Sequence, residues 1–224
     1  MDTSTAEDDH LQAWANEAEL MAHRGCSSLR APTEIRDRLL AALSGVRNGW
    51  SDAIPELHEI MYLPPWQPRT VSVSFSAAFS EGALWGYFPA WDSLNQAFAI
   101  DSIGRVEGTT ERSYTQLQSD SLYNVEVMAA AYSEIEGIAG ASPSYFFGDY
   151  SNVYPHVDTT WVSLLFRKAW GIGCPEGGCE HNEYWYFKCF NDHIEYKGKW
   201  DSSWTEFPDW WGEARANIIE FRPQ

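Results

Sequence analysis

Lysine is scarce in this 224-residue chain: Lys168, Lys188, Lys197 and Lys199 are the only four, and 15 bases stand against 32 acids for a formal charge of −17. Nucleic-acid affinity rests on clustered Lys and Arg, so this balance argues against a nucleic-acid-binding surface. Long apolar runs are missing. None approaches the ~18 residues of a spanning helix, so no membrane insertion is expected. Cysteine is sparse too: Cys26, Cys174, Cys179 and Cys189 are too few for a disulfide scaffold, and a chain of this size can bury a core without one. The start, Met1-Asp2-Thr3-Ser4-Thr5-Ala6-Glu7-Asp8-Asp9, is acidic. A secretory signal opens basic and continues with an apolar stretch of ~7–15 residues, so a cytoplasmic protein is expected.

Catalytic signatures are equally thin. There is no Gly-x-Ser-x-Gly elbow, no phosphate loop and no dinucleotide fingerprint; Gly171-Ile172-Gly173 lacks the third glycine and a following helix. His156-Val157-Asp158 supplies half of a facial iron triad, with His181 or His193 as the third ligand, but no strong strand surrounds it. Carboxylates such as Asp92, Asp101, Glu107 and Asp149 abound, yet spacing selects no acid–base pair. The balance leans away from an enzyme.

What is present is a globular composition, 44 % hydrophobic and 21 % charged. Helical spacing marks a first helix through Leu11, Trp14, Ala15 and Ala18. A second opens at Thr33 with Ile35, Leu39, Leu40 and Leu43 apolar, and a third covers about 51–62. Pro64-Pro65 ends this segment. Alternation from Val71 through Val73, Phe75 and Ala77 to Phe79 then predicts a half-buried strand with a serine-lined outer face. Leu84–Phe88 reads as a returning strand, and residues 98–107 as a hairpin. A helix fits 122–136, and residues 137–158 are turn-rich. Thr159–Arg167 suits one buried strand. Residues 184–190 and 193–200 form a hairpin around Asn191-Asp192, and a helix carrying Trp211, Ala214 and Ile218 closes the chain. His10, His23 and His58 fall on helices beside acids and are expected to be exposed.

Segregated helical and strand runs with short turns predict an α+β fold, an antiparallel sheet with helices packed on one face. A helical segment over residues 1–64 precedes an α+β domain over 65–224, with the break near Pro64–Pro68. Val71, Phe75, Val162 and Leu164 should point inward.

Two features carry the functional reading. Twelve tryptophans are an excess, and seven fall from Trp161 onward. Among them Trp161, Trp185 and Trp211 sit on apolar faces, as core residues do. The segment Trp200 to Trp211 interleaves rings with Asp201, Glu206 and Asp209. Trp200, Trp204, Glu206, Asp209 and Trp210 form a candidate docking surface for a basic protein, carboxylates for charge-assisted hydrogen bonds and rings for cation–π contact. The same mixture suits stacking on sugars, so a carbohydrate-binding or carbohydrate-active protein is the alternative. Solubility, or a saline cytosol, is the plain explanation of the charge.

The second feature is Cys174-Pro175-Glu176-Gly177-Gly178-Cys179-Glu180-His181, with Cys189 and His193 beyond it. Cys174, Cys179, His181, Cys189 and His193 are candidate zinc ligands, although the spacing is not a common zinc pattern. A Cys174–Cys179 disulfide and three unrelated thiols are the other readings. With no catalytic motif, the sequence points to a small acidic protein that binds a basic protein, most concretely an immunity protein or antitoxin.

Overall fold

A computed structural model describes residues 3–24, 26–146 and 148–221; the Met1-Asp2 start lies outside them. In chain order, α1 (Thr3–His23), α2 (Thr33–Trp50) and α3 (Glu56–Glu59) precede β1 (Trp66–Phe75) and α4 (Ala77–Leu84). A 3-10 turn at Pro89–Trp91 leads into α5 (Asp92–Ala97), β2 (Ile100–Ile103), β3 (Glu107–Gly108), β4 (Ser113–Ser119), α6 (Val125–Ser133) and β5 (Ile138–Tyr145). Then follow β6 (Asn152–Val157), β7 (Trp161–Trp170), β8 (His181–Phe190), β9 (Ile194–Asp201) and α7 (Trp211–Phe221). Both sheets are antiparallel, and the class is α+β with an N-terminal helical segment.

The chain divides into two compact units, one of residues 1–22, 33–65 and 146–224, the other of 23–32 and 66–145. One crossing between the units runs from Pro65 to Trp66. The crossing at Tyr145 to Phe146 has no signal in the composition.

The 66–145 unit is a sheet ordered β2-β4-β1-β5, with β3 beside β4. Val71, Val73 and Phe75 of β1 face a core shared with Leu117, Met128 and Tyr132. Phe75 meets Phe88 and Trp91 edge-on at 4.9 and 5.4 Å. The segment 23–32 belongs to this unit because Asn124, which caps α6 through the Glu126 amide at 3.1 Å, also donates to the carbonyls of His23 and Cys26.

Several expectations change here. β1 stops at Phe75, and Phe79 lies on α4. Residues 75 and 79 share a face at both strand and helix spacing, so alternation did not separate the two. Leu84–Phe88 is a helix end and loop, not a strand. β2 and β3 do not form a hairpin; each pairs with β4. β4 itself escapes hydrophobic patterning because its inward side chains include Ser113, Thr115 and Ser119. Thr115 and Ser119 are satisfied by donating to Gly104 and Phe98 carbonyls at 2.6 and 2.7 Å. β5 and β6 hide in the turn-rich stretch through Pro143 and Pro155. Both are edge strands, where proline is tolerated. His23 is buried, at 1 % exposure, rather than exposed like His10 and His58.

The other unit holds the sheet β6-β7-β8-β9. On one face Arg38 of α2 donates to the Asp158 and Trp161 carbonyls, and Arg47 lies over Phe166. On the other, Asn217 of α7 bonds Ser163 at 3.0 Å. β7 is covered on both sides, which is why Val162 to Arg167 is buried without alternation. The third helix shrinks to Glu56–Glu59, since Pro55 fixes its start and residues 51–53 form a turn. Arg47, fully buried, ties the helices together. It pairs with Glu17 and donates to the Leu57 and Ile60 carbonyls at 3.0 and 2.9 Å, while Glu17 also accepts from the Tyr62 amide.

Candidate functional site

The register of the β6–β9 sheet gathers one end of it. Trp170 at the end of β7 faces His181 at the start of β8, and Glu183 faces Asp201 at the end of β9. The Ser202 amide donates to the Asn182 carbonyl and the Asn182 amide to the Ser202 hydroxyl, each at 2.9 Å. The loop 171–180 and the turn after Asp201 are therefore neighbours.

Large apolar side chains crowd this end. Trp170, Ile172, Trp204 and Phe207 are 39, 84, 52 and 63 % exposed. Acids stand between them. Glu176, Glu180, Glu206 and Asp209 are exposed, and none pairs with a cation among the described residues. The Ser203 amide and hydroxyl, at 2.8 and 2.7 Å, hold the Asp201 carboxyl below its ordinary range. All four lysines are already engaged by carboxylates: Lys168 by Glu56, Lys188 by Glu213, Lys197 by Glu195 and Lys199 by Glu183.

The five expected docking residues do not share one environment. Trp204 and Glu206 are exposed at this end of the sheet. Trp200 is buried against Tyr184, Phe207 and Trp211, and its indole donates to the Glu206 carbonyl at 3.2 Å. Trp210 stacks on Tyr186 and covers Gly198, where a Cβ would lie 3.0 Å from the indole nitrogen. Asp209 lies in a shallow groove with Lys197 and Lys199. Trp185 is buried as expected, whereas Trp161 and Trp211 are half-buried.

Cys174 and Cys179 are joined in a disulfide, so the zinc set is not assembled. Cys189 is a buried thiol on β8, its pKa pushed up to about 12 by burial. His193 is taken by Asp192 and Glu195, which raise its pKa, and His181 stacks on Trp170. Among the described residues no three His, Cys, Asp or Glu side chains are placed to hold a metal ion, and this covers the His156/Asp158 half-triad as well. The same loop is latched from beneath. Asp149 pairs with Arg167, accepts from the Cys179 amide at 3.2 Å and donates its own amide to the Pro175 carbonyl at 2.7 Å. Burial works against the Arg167 charge, but the Asp149 bond overrides it and raises the pKa.

The 66–145 unit contributes a groove of about 640 Å³ that sequence reasoning missed, with a mixed lining that includes Leu84, Tyr87 and Trp91 beside Asp92 and Arg105. Trp85 and Tyr87 stand 83 and 75 % exposed in the loop after α4. The signal, two aromatics around Gly86, was absorbed into the expected strand. No helix among the described residues is long and apolar enough to cross a membrane. Compared with protein-family models, with curated proteins and with solved structures, the chain matches none.

Proposed function

We propose that this protein binds a basic protein partner and occludes it, as an immunity protein or antitoxin does. One observation carries the reading: at one end of the β6–β9 sheet, exposed Trp204, Phe207, Ile172 and Trp170 alternate with Glu176, Glu180 and Glu206, which no cation in the described chain neutralises. Free carboxylates steer encounter with a cationic surface, and exposed rings supply the anchors that slow release. The exposed Trp85 and Tyr87 of the other unit support a binding role in general, since large exposed aromatics mark interaction surfaces. We keep the cytoplasm as the place of action. Disulfides persist chiefly in oxidising compartments, so the oxidation state of Cys174 and Cys179 in the native cell tests that assignment.

The test is surface-immobilised binding of the basic proteins encoded beside this chain. Binding whose association rate falls steeply with salt, and whose dissociation speeds in Trp204→Ala and Phe207→Ala, supports the reading. Failure of every such protein to bind overturns it.

A further inference from the structure

The Cys174–Cys179 disulfide sits in a loop with no apolar anchor. No residue from 171 to 180 is buried: Ile172 is 84 % exposed, and both half-cystines are half-buried. The loop is held by polar contacts instead. The Asp149 amide donates to the Pro175 carbonyl, and the Cys179 amide donates to the Asp149 carboxylate. The Asp149 backbone carbonyl oxygen lies 3.4 Å from the Cys174 sulfur and 2.7 Å from the Cys179 sulfur. Glu176 lies between the two cysteines and Glu180 follows the second; both are exposed and neither pairs with a cation among the described residues. The Asp149 charge, by contrast, is matched by Arg167. The other cysteines do not compete for this pair, since Cys189 is buried on β8 and Cys26 is engaged by Ser28.

We propose that Cys174–Cys179 is a reversible thiol–disulfide exchange site whose reagent is a positively charged thiol or disulfide. Exchange needs access to a sulfur, and an exposed loop without buried side chains grants it. In the reducing direction an incoming thiolate bonds to one cysteine sulfur. The electron pair of the broken S–S bond leaves on the other sulfur, which takes a proton from water. A second thiol then attacks the mixed disulfide, so two reagent thiols become one disulfide and the chain gains two electrons and two protons. Each new cysteine thiol finds an acceptor already in place, the Asp149 carbonyl. The Asp149 contacts keep both halves of the loop together, so reclosure is an intramolecular step between neighbouring sulfurs. Charge selects the reagent. Glu176 and Glu180 repel an anionic thiol such as glutathione and attract a cationic one. The site needs no protein partner and is independent of the docking reading.

The test runs the couple both ways on the whole folded chain. Dithiothreitol, an uncharged dithiol, should open the pair without denaturant, read by alkylation and peptide mass spectrometry of Cys174 and Cys179. The reduced chain, freed of dithiothreitol, is then offered cystamine or oxidised glutathione, a cationic and an anionic disulfide. Each rate of reclosure is divided by the rate at which the same reagent oxidises free dithiothreitol, which cancels intrinsic reactivity. Cystamine should be favoured about fivefold or more near 0.01 M ionic strength, and less than about twofold near 1 M, where the charges are screened. The double variant Glu176→Gln/Glu180→Gln should lose about half or more of the low-salt preference with an unchanged melting temperature. A pair that dithiothreitol reaches only in denaturant is a structural staple and overturns the inference. Equal normalised rates at low salt overturn it too. A preference that the double variant leaves intact belongs to the net charge of −17 rather than to this loop, and overturns it equally.

Discussion

Asp149 joins Arg167 to the disulfide loop: one carboxylate oxygen accepts from the guanidinium and the other from the Cys179 amide. Arg167 is 8 % exposed and is bonded also to Asn182 and Tyr154. A single acid thus fixes the loop that carries Ile172 and Glu176 to the sheet beneath it. Asp149→Asn keeps the shape and removes the charge. It should lower stability by about 1–3 kcal/mol, because a nearly buried guanidinium loses its counter-charge. Hydrogen exchange should also quicken at the Cys179 amide before any amide of the sheet. A melt and an exchange profile identical to the parent would show that the latch does not hold the loop.

The core of the 66–145 unit is tested at Phe75, which is 1 % exposed and packs on two rings. Phe75→Ala should cost about 3–5 kcal/mol in chemical denaturation. A loss under about 1 kcal/mol would mean that the ring is not enclosed as described.

Acid should weaken the fold through His23. Burial lowers its pKa to about 4 from an ordinary 6.5. Between those values the unfolded chain takes up a proton that the folded chain refuses. This contribution is therefore intact above pH 6.5 and is lost as pH falls toward 4, by up to about 3 kcal/mol. The exposed His193, raised by Asp192 and Glu195, acts in the opposite sense. Melting curves from pH 7 to 4.5 should show His23→Gln losing less stability on acidification than the parent. Equal slopes for the two would exclude His23 as the source.

The aromatic segment should separate into packing and contact residues. Trp200→Ala and Gly198→Ala should lower the melting temperature, the first by removing a buried ring and the second by forcing Trp210 off Tyr186 at a backbone φ of +132°. Trp204→Ala and Phe207→Ala should change stability by under about 0.5 kcal/mol, as exposed sites do. Melts of the four variants check this directly. A large loss at Trp204 would make it a core residue.

Legibility followed how each element hides its apolar surface. The β8–β9 hairpin and α7 were readable because runs such as Tyr184–Phe190 are dense in rings and the turn residues are explicit. β7 was readable as a continuous apolar run, since α2 and α7 cover it on both faces. β4 was not, because three of its four inward residues are Ser113, Thr115 and Ser119, and Thr115 and Ser119 are held by hydrogen bonds to the Gly104 and Phe98 carbonyls. In the docking segment, composition named the rings but not their fate. Trp200 and Trp204 are four residues apart, yet one lies on β9 against Tyr184 and the other in the turn beyond it. The neighbouring loop with Ile172 and Glu176 joins Trp204 only through the strand register, which no local pattern announces.

The most direct test of the docking account is a hydrogen-exchange footprint with a cationic probe, a lysine-rich polypeptide of about 20 residues, at an ionic strength near 0.15 M where diffuse attraction is screened beyond about 8 Å. The account predicts protection concentrated in residues 170–181 and 201–207, and its loss in the Trp204→Ala/Phe207→Ala double variant. Protection spread evenly over all acidic segments, or a footprint that the double variant leaves unchanged, would contradict it.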